Sequence, residues 1–142
     1  MRVYADTSFL VSLYSPDVHS TRAIAQMARI RGALLLTQLG ELELTNALEL
    51  RVFRKEATET EIRRALTKFE EHARGGVFEL DAMPATVYER ARQITRKHTA
   101  ILGLRTLEIL HVASALLLQA EQFWTFDQRQ SKLAKAAGLR TI

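Results

Sequence analysis

The stretch RVYADTSFL at residues 2–10 decides the fold. Val3, Tyr4 and Ala5 form a short apolar run of strand-favouring character, and the run stops at Asp6, where Asp-Thr-Ser supplies residues that start helices. The same grammar returns at FWTFD, residues 123–127, where Asp127 closes an aromatic run and again precedes a helical pattern. Strand, acid, helix is the arrangement in which open parallel sheets set ligand crevices beyond the carboxyl ends of their strands.

Working outward, apolar runs rich in β-branched or aromatic residues predict strands at 2–5, 33–37, 77–80, 123–126 and 139–142. Apolar spacing of helical period predicts helices at 8–13, 20–31, 39–55, 58–74, 85–97, 105–119 and 129–137. The alternation specifies an α/β fold with a central, mostly parallel five-stranded sheet flanked by about seven helices. Thr58 followed by Glu61 is a capping-box pattern, Gly75 and Gly76 end the helix that follows, Pro84 suits a helix start and Gly138 a C-cap. No repeat, low-complexity tract or Pro/Ser-rich linker divides the 142 residues, which are expected to form one domain over 1–142.

Composition excludes several classes of function. Hydrophobic residues make up 47% and charged residues 25%, an ordinary globular balance. The chain has no cysteine, which removes disulfides, thiolate nucleophiles and cysteine-bound zinc, and a reducing cytoplasm fits. The apolar start invites a signal-peptide reading, but Asp6 interrupts it and no small-residue cleavage site follows. No apolar run approaches the roughly 18 residues that cross a bilayer, so no membrane partner is expected. A net charge of +4 makes a polyanionic partner plausible, although Arg51, Arg54, Lys55, Arg63, Arg64 and Lys68 read equally as solvated helix faces.

Four carboxylates stand in places where a purely structural account costs something. Asp6 and Asp127 follow strands, with helix capping as the competing explanation for each. Glu108 is the one charged residue between Leu107 and Leu118, in a helix apolar almost all round, and a buried carboxylate needs a partner. That partner is either a cation or Arg105, three residues earlier on the same face. Glu43 lies among Leu39, Ala47 and Leu50 at helical spacing, whereas Glu41 and Glu49 fall on other faces. His111, one turn from Glu108, reads better as a core histidine with a hydrogen-bonded ring than as a base or ligand.

In order, these acids sit in VYADTSFL (3–10), ELTNAL (43–48), LEILHVASAL (107–116) and WTFDQRQ (124–130), with AxxAGL at 134–139. Across nearly the whole chain this series resembles the PIN-domain nucleases, especially the VapC-type toxins of toxin–antitoxin pairs. The resemblance implies that Asp6, Glu43, Glu108 and Asp127 converge at one end of the sheet as catalytic and metal-binding acids for one or two Mg²⁺ or Mn²⁺ ions. It implies that Thr7, Ser8 and Thr125 support them, that RNA is the substrate, and that a cognate antitoxin and a second copy of the chain are partners. The family most often has Asp where this chain has Glu108, one methylene longer in reach. Arg129, two residues after Asp127, is a further candidate for phosphate contact.

Hard divalent cations prefer oxygen ligands, which suits acids without cysteine. A non-catalytic RNA-binding or regulatory module of the same fold is the competing reading. A phosphate-accepting receiver domain lacks its acidic pair and lysine here, and a D-x-D phosphatase pattern fails because Ser8 occupies the second acidic position. RNA and DNA share the phosphodiester and are not distinguished by these residues.

Overall fold

The computed structural model describes residues 1–142. Five strands, β1 (Val3–Ala5), β2 (Leu34–Thr37), β3 (Phe78–Asp81), β4 (Gln122–Trp124) and β5 (Arg140–Thr141), form one sheet in the order β3-β2-β1-β4-β5, and every pairing is parallel. The predicted α/β architecture is present, with parallel pairing throughout. The chain winds outward in one direction from β1 through β2 to β3 and in the other from β4 to β5. The order therefore reverses between β1 and β4, the crevice-forming position of such sheets.

Strand periodicity divides the core into two layers. Val3, Ala5, Leu34, Leu36 and Trp124 pack on one face of the sheet against α1 (Thr7–Tyr14), α3 (Gln38–Phe53) and α4 (Glu59–Arg74), with Ala23 of α2 (Ser20–Met27) joining them. Tyr4, Leu35 and Phe123 point the other way, into α5 (Val87–Ile94), α7 (Thr106–Leu117) and α8 (Gln128–Ala136). The central strands are buried on both faces and are therefore apolar at successive positions, as at Val3–Ala5 and Leu34–Leu36, which is why they read as continuous runs. At Gly40, a Cβ would stand 2.8 Å from the Leu36 side chain, so glycine lets α3 lie close on the strand that precedes it.

The helices match the predicted ones with shifted ends. Helix α2 stops at Met27 instead of 31, where the chain tightens into turns toward Gly32 at φ +110°. Beyond α5 the chain continues through a π-helical stretch, Thr95–Thr99, and a short turn of helix, α6 (Ala100–Leu102), until Gly103 at φ +66° ends it. The Thr58 capping box is complete: Glu61 N–H donates to Thr58 Oγ1 at 3.1 Å and Thr58 N–H to Glu61 Oε2 at 3.0 Å. Strand β4 is shorter than expected, ending at Trp124, because Phe126 N–H donates to Ser8 Oγ and Asp127 N–H to Thr125 Oγ1. No helix is long and apolar enough to cross a membrane.

Candidate active site

The switch point between β1 and β4 is stitched together by side chains. Asp6 N–H donates to the Trp124 carbonyl at 3.0 Å, joining the two strand ends. Asp6 itself is buried, 1% exposed, and caps α1 by accepting from Phe9 N–H at 3.0 Å. Ser8 Oγ donates to the same carboxylate oxygen at 2.7 Å, and Thr125 Oγ1 donates to the other at 2.6 Å. Burial pushes the Asp6 carboxyl above its ordinary range, opposed by the Thr125, Phe9 and Ser8 hydrogen bonds and by the field of His111. All three donors bonded to it are neutral.

Asp127 stands two residues past Thr125, whose hydroxyl thereby connects the two aspartates. Its Oδ1 caps α8, accepting from Arg129 N–H at 2.8 Å and Gln130 N–H at 3.0 Å. Helix capping, the structural explanation for both aspartates, is thus real. It leaves capacity over, because an ionised carboxylate offers about four acceptor positions and Asp127 Oδ2 accepts no hydrogen bond from the protein.

Glu43 lies on α3, beside the face that buries Gly40, Leu44 and Leu48, so it edges the apolar stripe instead of centring it as the sequence spacing suggested. Thr7 Oγ1 donates to its Oε2 at 2.9 Å. His111 Nε2 meets its two oxygens at 2.9 and 3.1 Å. A carboxylate only accepts, so Nε2 carries the proton, and the buried Tyr4 hydroxyl completes the ring's bonding at 2.8 Å from Nδ1. Thr37 Oγ1 lies 3.4 Å beyond the phenol. Burial works to raise the Glu43 carboxyl, but the hydrogen bond and charge of His111, then Thr7, bring it below the usual range.

Glu108 is 9% exposed, in the first turn of α7. Its Oε2 accepts from Arg105 N–H at 2.9 Å, so the partner on Arg105 is the backbone and not the guanidinium. The Arg129 side chain reaches the Gly103 carbonyl at 3.3 Å, tying the segment after Asp127 to the loop before α7.

The structure therefore joins Asp6, Ser8, Thr125 and Asp127 in one hydrogen-bonded group, and Thr7, Glu43 and His111 in another. Glu108 is hydrogen-bonded to neither group. His111 is the core histidine expected from the sequence, fully buried with both ring nitrogens bonded, yet its partner is a candidate site acid. Neither it nor Tyr4 was placed beside the site. Only the strand phase of Tyr4 and the spacing of His111 one turn after Glu108 pointed there.

The donors are oxygens, one of them on a buried acid with no cationic side chain bonded to it, and this suits a hard divalent cation. No three His, Asp or Glu side chains stand together so as to hold a metal ion by themselves. Mg²⁺ commonly takes only one or two carboxylates and completes its shell with water and substrate phosphate, so an open set of this kind fits.

A parallel sheet with acids at its switch point defines an α/β protein whose acids stand where such sheets bind their ligands. More narrowly, the chain belongs to the PIN domain family, whose model matches residues 3–136. VapC20 of Mycobacterium tuberculosis, described as a sarcin-ricin loop cleaving toxin, is similar in structure at a TM-score of 0.71 and 17% identity, covering 96% of this chain and 95% of that one. FitAcB from Neisseria gonorrhoeae is similar at 0.71 and 16%, covering 99% and 96%. VapBC2 from Rickettsia felis, bound to a DNA fragment from its promoter, is similar at 0.67 and 14%, covering 100% and 98%. At these identities the likeness shows the fold. No curated protein matches the sequence.

Proposed function

We propose that this protein is a divalent-metal-dependent endoribonuclease, the toxin component of a type II toxin–antitoxin system, acting in the cytoplasm. One observation carries the reading: Asp6, buried at the switch point, is held ionisable by three neutral donors and has no cationic partner bonded to it. A buried carboxylate without a counter-charge is costly, and a cation resolves the cost. The toxin assignment draws on similarity to structures described as toxins and toxin–antitoxin complexes.

In this reading Asp6 and Asp127 are the primary ligands of Mg²⁺ or Mn²⁺, Glu43 positions the ion or its water, and Glu108 completes the set. The ion, when bound, supplies an activated water and neutralises charge on the leaving oxygen of the phosphodiester. The Thr125 and Ser8 hydroxyls fix both oxygens of Asp6, and Thr7 with His111 fixes those of Glu43. Tyr4 holds the ring of His111 from behind. Arg129, whose side chain reaches the Gly103 carbonyl, would meet a backbone phosphate in this reading. A cognate antitoxin would cover the acids with a segment offering an arginine, and a second copy of the chain would form a homodimer.

The test is cleavage of RNA by purified protein with Mg²⁺ or Mn²⁺, abolished by EDTA, restored by metal and lost in Asp127→Asn. RNA binding without turnover, under any metal, would overturn the nuclease reading in favour of a regulatory module.

A further inference from the structure

Asp127 opens onto a trough of opposite charge. Beside it lies a cleft of about 330 Å³ lined by His19, Arg22, Phe126, Lys132 and Lys135 among others, and adjoining this is a second of about 530 Å³ with Arg29 and Arg140. The two share Arg22 and Ile142, so they form one depression along the β5 edge of the sheet. Its walls are single helix faces. Gln128, Ser131, Lys132 and Lys135 recur on α8 at intervals of three and four, Arg22, Ala25 and Gln26 do so on α2, and Arg29 lies in the turn just beyond its end. Asp127 is the only acidic side chain along the depression. By contrast, a cleft between α3 and α4 carries Glu49, Glu59 and Glu70 against the single cation Arg63.

A second feature favours nucleic acid over an acidic peptide. Phe9, Phe126 and His19 form a stack, with centroid spacings of 5.5 and 4.6 Å and the last pair tilted by only 10°. The stack runs from the buried Phe9 outward to an exposed His19, and Arg22 lies 5.7 Å from the Phe126 ring centre. An exposed flat ring at the end of a stack, beside cations tracking a groove, is how single-stranded nucleic acid is held without reading its sequence.

We propose that this trough binds the single-stranded RNA flanking the scissile bond: Arg22, Lys132 and Lys135 take its backbone phosphates, and His19 receives a base. The proposal rests on the nuclease reading for its substrate, but its test needs no turnover. Fluorescence anisotropy of a twelve-nucleotide single-stranded RNA in EDTA would compare wild-type full-length protein with R22Q/K132Q/K135Q, with His19→Ala and with R63Q/R64Q/K68Q on exposed α4. The first variant should bind at least tenfold more weakly and lose about two from the slope of log affinity against log salt, at about 0.7 per phosphate contact. His19→Ala should weaken binding severalfold with the slope intact, and the α4 variant should bind within twofold of wild type. Melting temperatures report folding for each. Wild-type affinity in R22Q/K132Q/K135Q overturns the trough while leaving cleavage untouched. Polyglutamate bound as tightly as RNA, with His19→Ala affecting neither, overturns the assignment to nucleic acid. Failure of the nuclease reading looks different: wild-type protein would cleave no RNA with any metal.

Discussion

Asp6 and Glu43, two acids of the proposed site, are held by opposite means. Asp6, at the end of β1, is wholly buried and bonded by two hydroxyls and a main-chain N–H, and burial pushes its carboxyl up. Glu43, on α3, is half-buried and bonded by a ring N–H from His111 as well as by Thr7, and its carboxyl is brought down. The protein thus bonds Glu43 directly to a partner able to carry positive charge, whereas the groups hydrogen-bonded to Asp6 are all neutral and His111 reaches it only through its field. On the proposed reading the difference separates their roles: Asp6 would be the acid that an external cation completes, and Glu43 the acid already positioned.

The largest effect expected from breaking this contrast is on cleavage. Asp6→Asn should lower the rate of RNA cleavage by about three orders of magnitude, the scale of losing one central electrostatic group. Single-turnover assays at saturating Mn²⁺ measure it. Next in size, loosening the Glu43 support should cost less. His111→Gln or Tyr4→Phe should reduce activity by about 10- to 100-fold, as removal of groups that orient ligands typically does. His111→Gln leaves an N–H donor and should retain more activity than His111→Leu. A purely structural role would lower the melting temperature of both without that ordering in rate.

A smaller effect lies in stability, and its sign separates the two acids. A carboxyl raised in the folded state stabilises fully below its unfolded value, here 3.8, and loses that contribution as pH rises through the folded value. Ionised Asp6 therefore costs stability at neutral pH without metal. Glu43, lowered from 4.5, contributes stability above that value and loses it as pH falls through its folded value. In EDTA, Asp6→Asn should gain melting temperature over wild type as pH rises from 3 toward 7, whereas Glu43→Gln should lose it over the same interval. Thermal scans across that range check both. Least of all, Glu108→Gln should cost less in cleavage than either aspartate variant, because its Oε2 already serves the Arg105 N–H.

The two members of the comparison were unequally legible in the sequence. Asp6 and Asp127 announced themselves because a strand, the acid and a helix start follow one another within a few residues of chain, and the caps they form are local chemistry. The layers were legible for the same reason: Val3 and Ala5 against Tyr4, and Leu34 and Leu36 against Leu35, alternate in plain view. The strand order was not, since which strand lies beside β1 depends on long-range packing. Hence Tyr4, His111 and Glu43, 107 and 68 residues apart along the chain, could not be joined from periodicity. Spacing centred the buried face of α3 near Glu43. The structure centres it on Leu44 and Leu48, because Gly40 admits close contact with β2. The predicted helix over 85–97 runs into the stretch that continues α5, but the π-helical winding of Thr95–Thr99 left no mark that propensity could read.

Asp6 as the acid that awaits a cation is tested most directly by titrating Mn²⁺ into wild-type protein and Asp6→Asn by calorimetry, with melting temperatures recorded in parallel. Wild type should bind Mn²⁺ and gain stability, by about 2.7 kcal/mol at a hundred times its dissociation constant. Asp6→Asn should bind none and be at least as stable as metal-free wild type at neutral pH. Equal Mn²⁺ affinity in the two proteins, or a wild-type melting temperature unmoved by saturating Mn²⁺, would contradict the assignment.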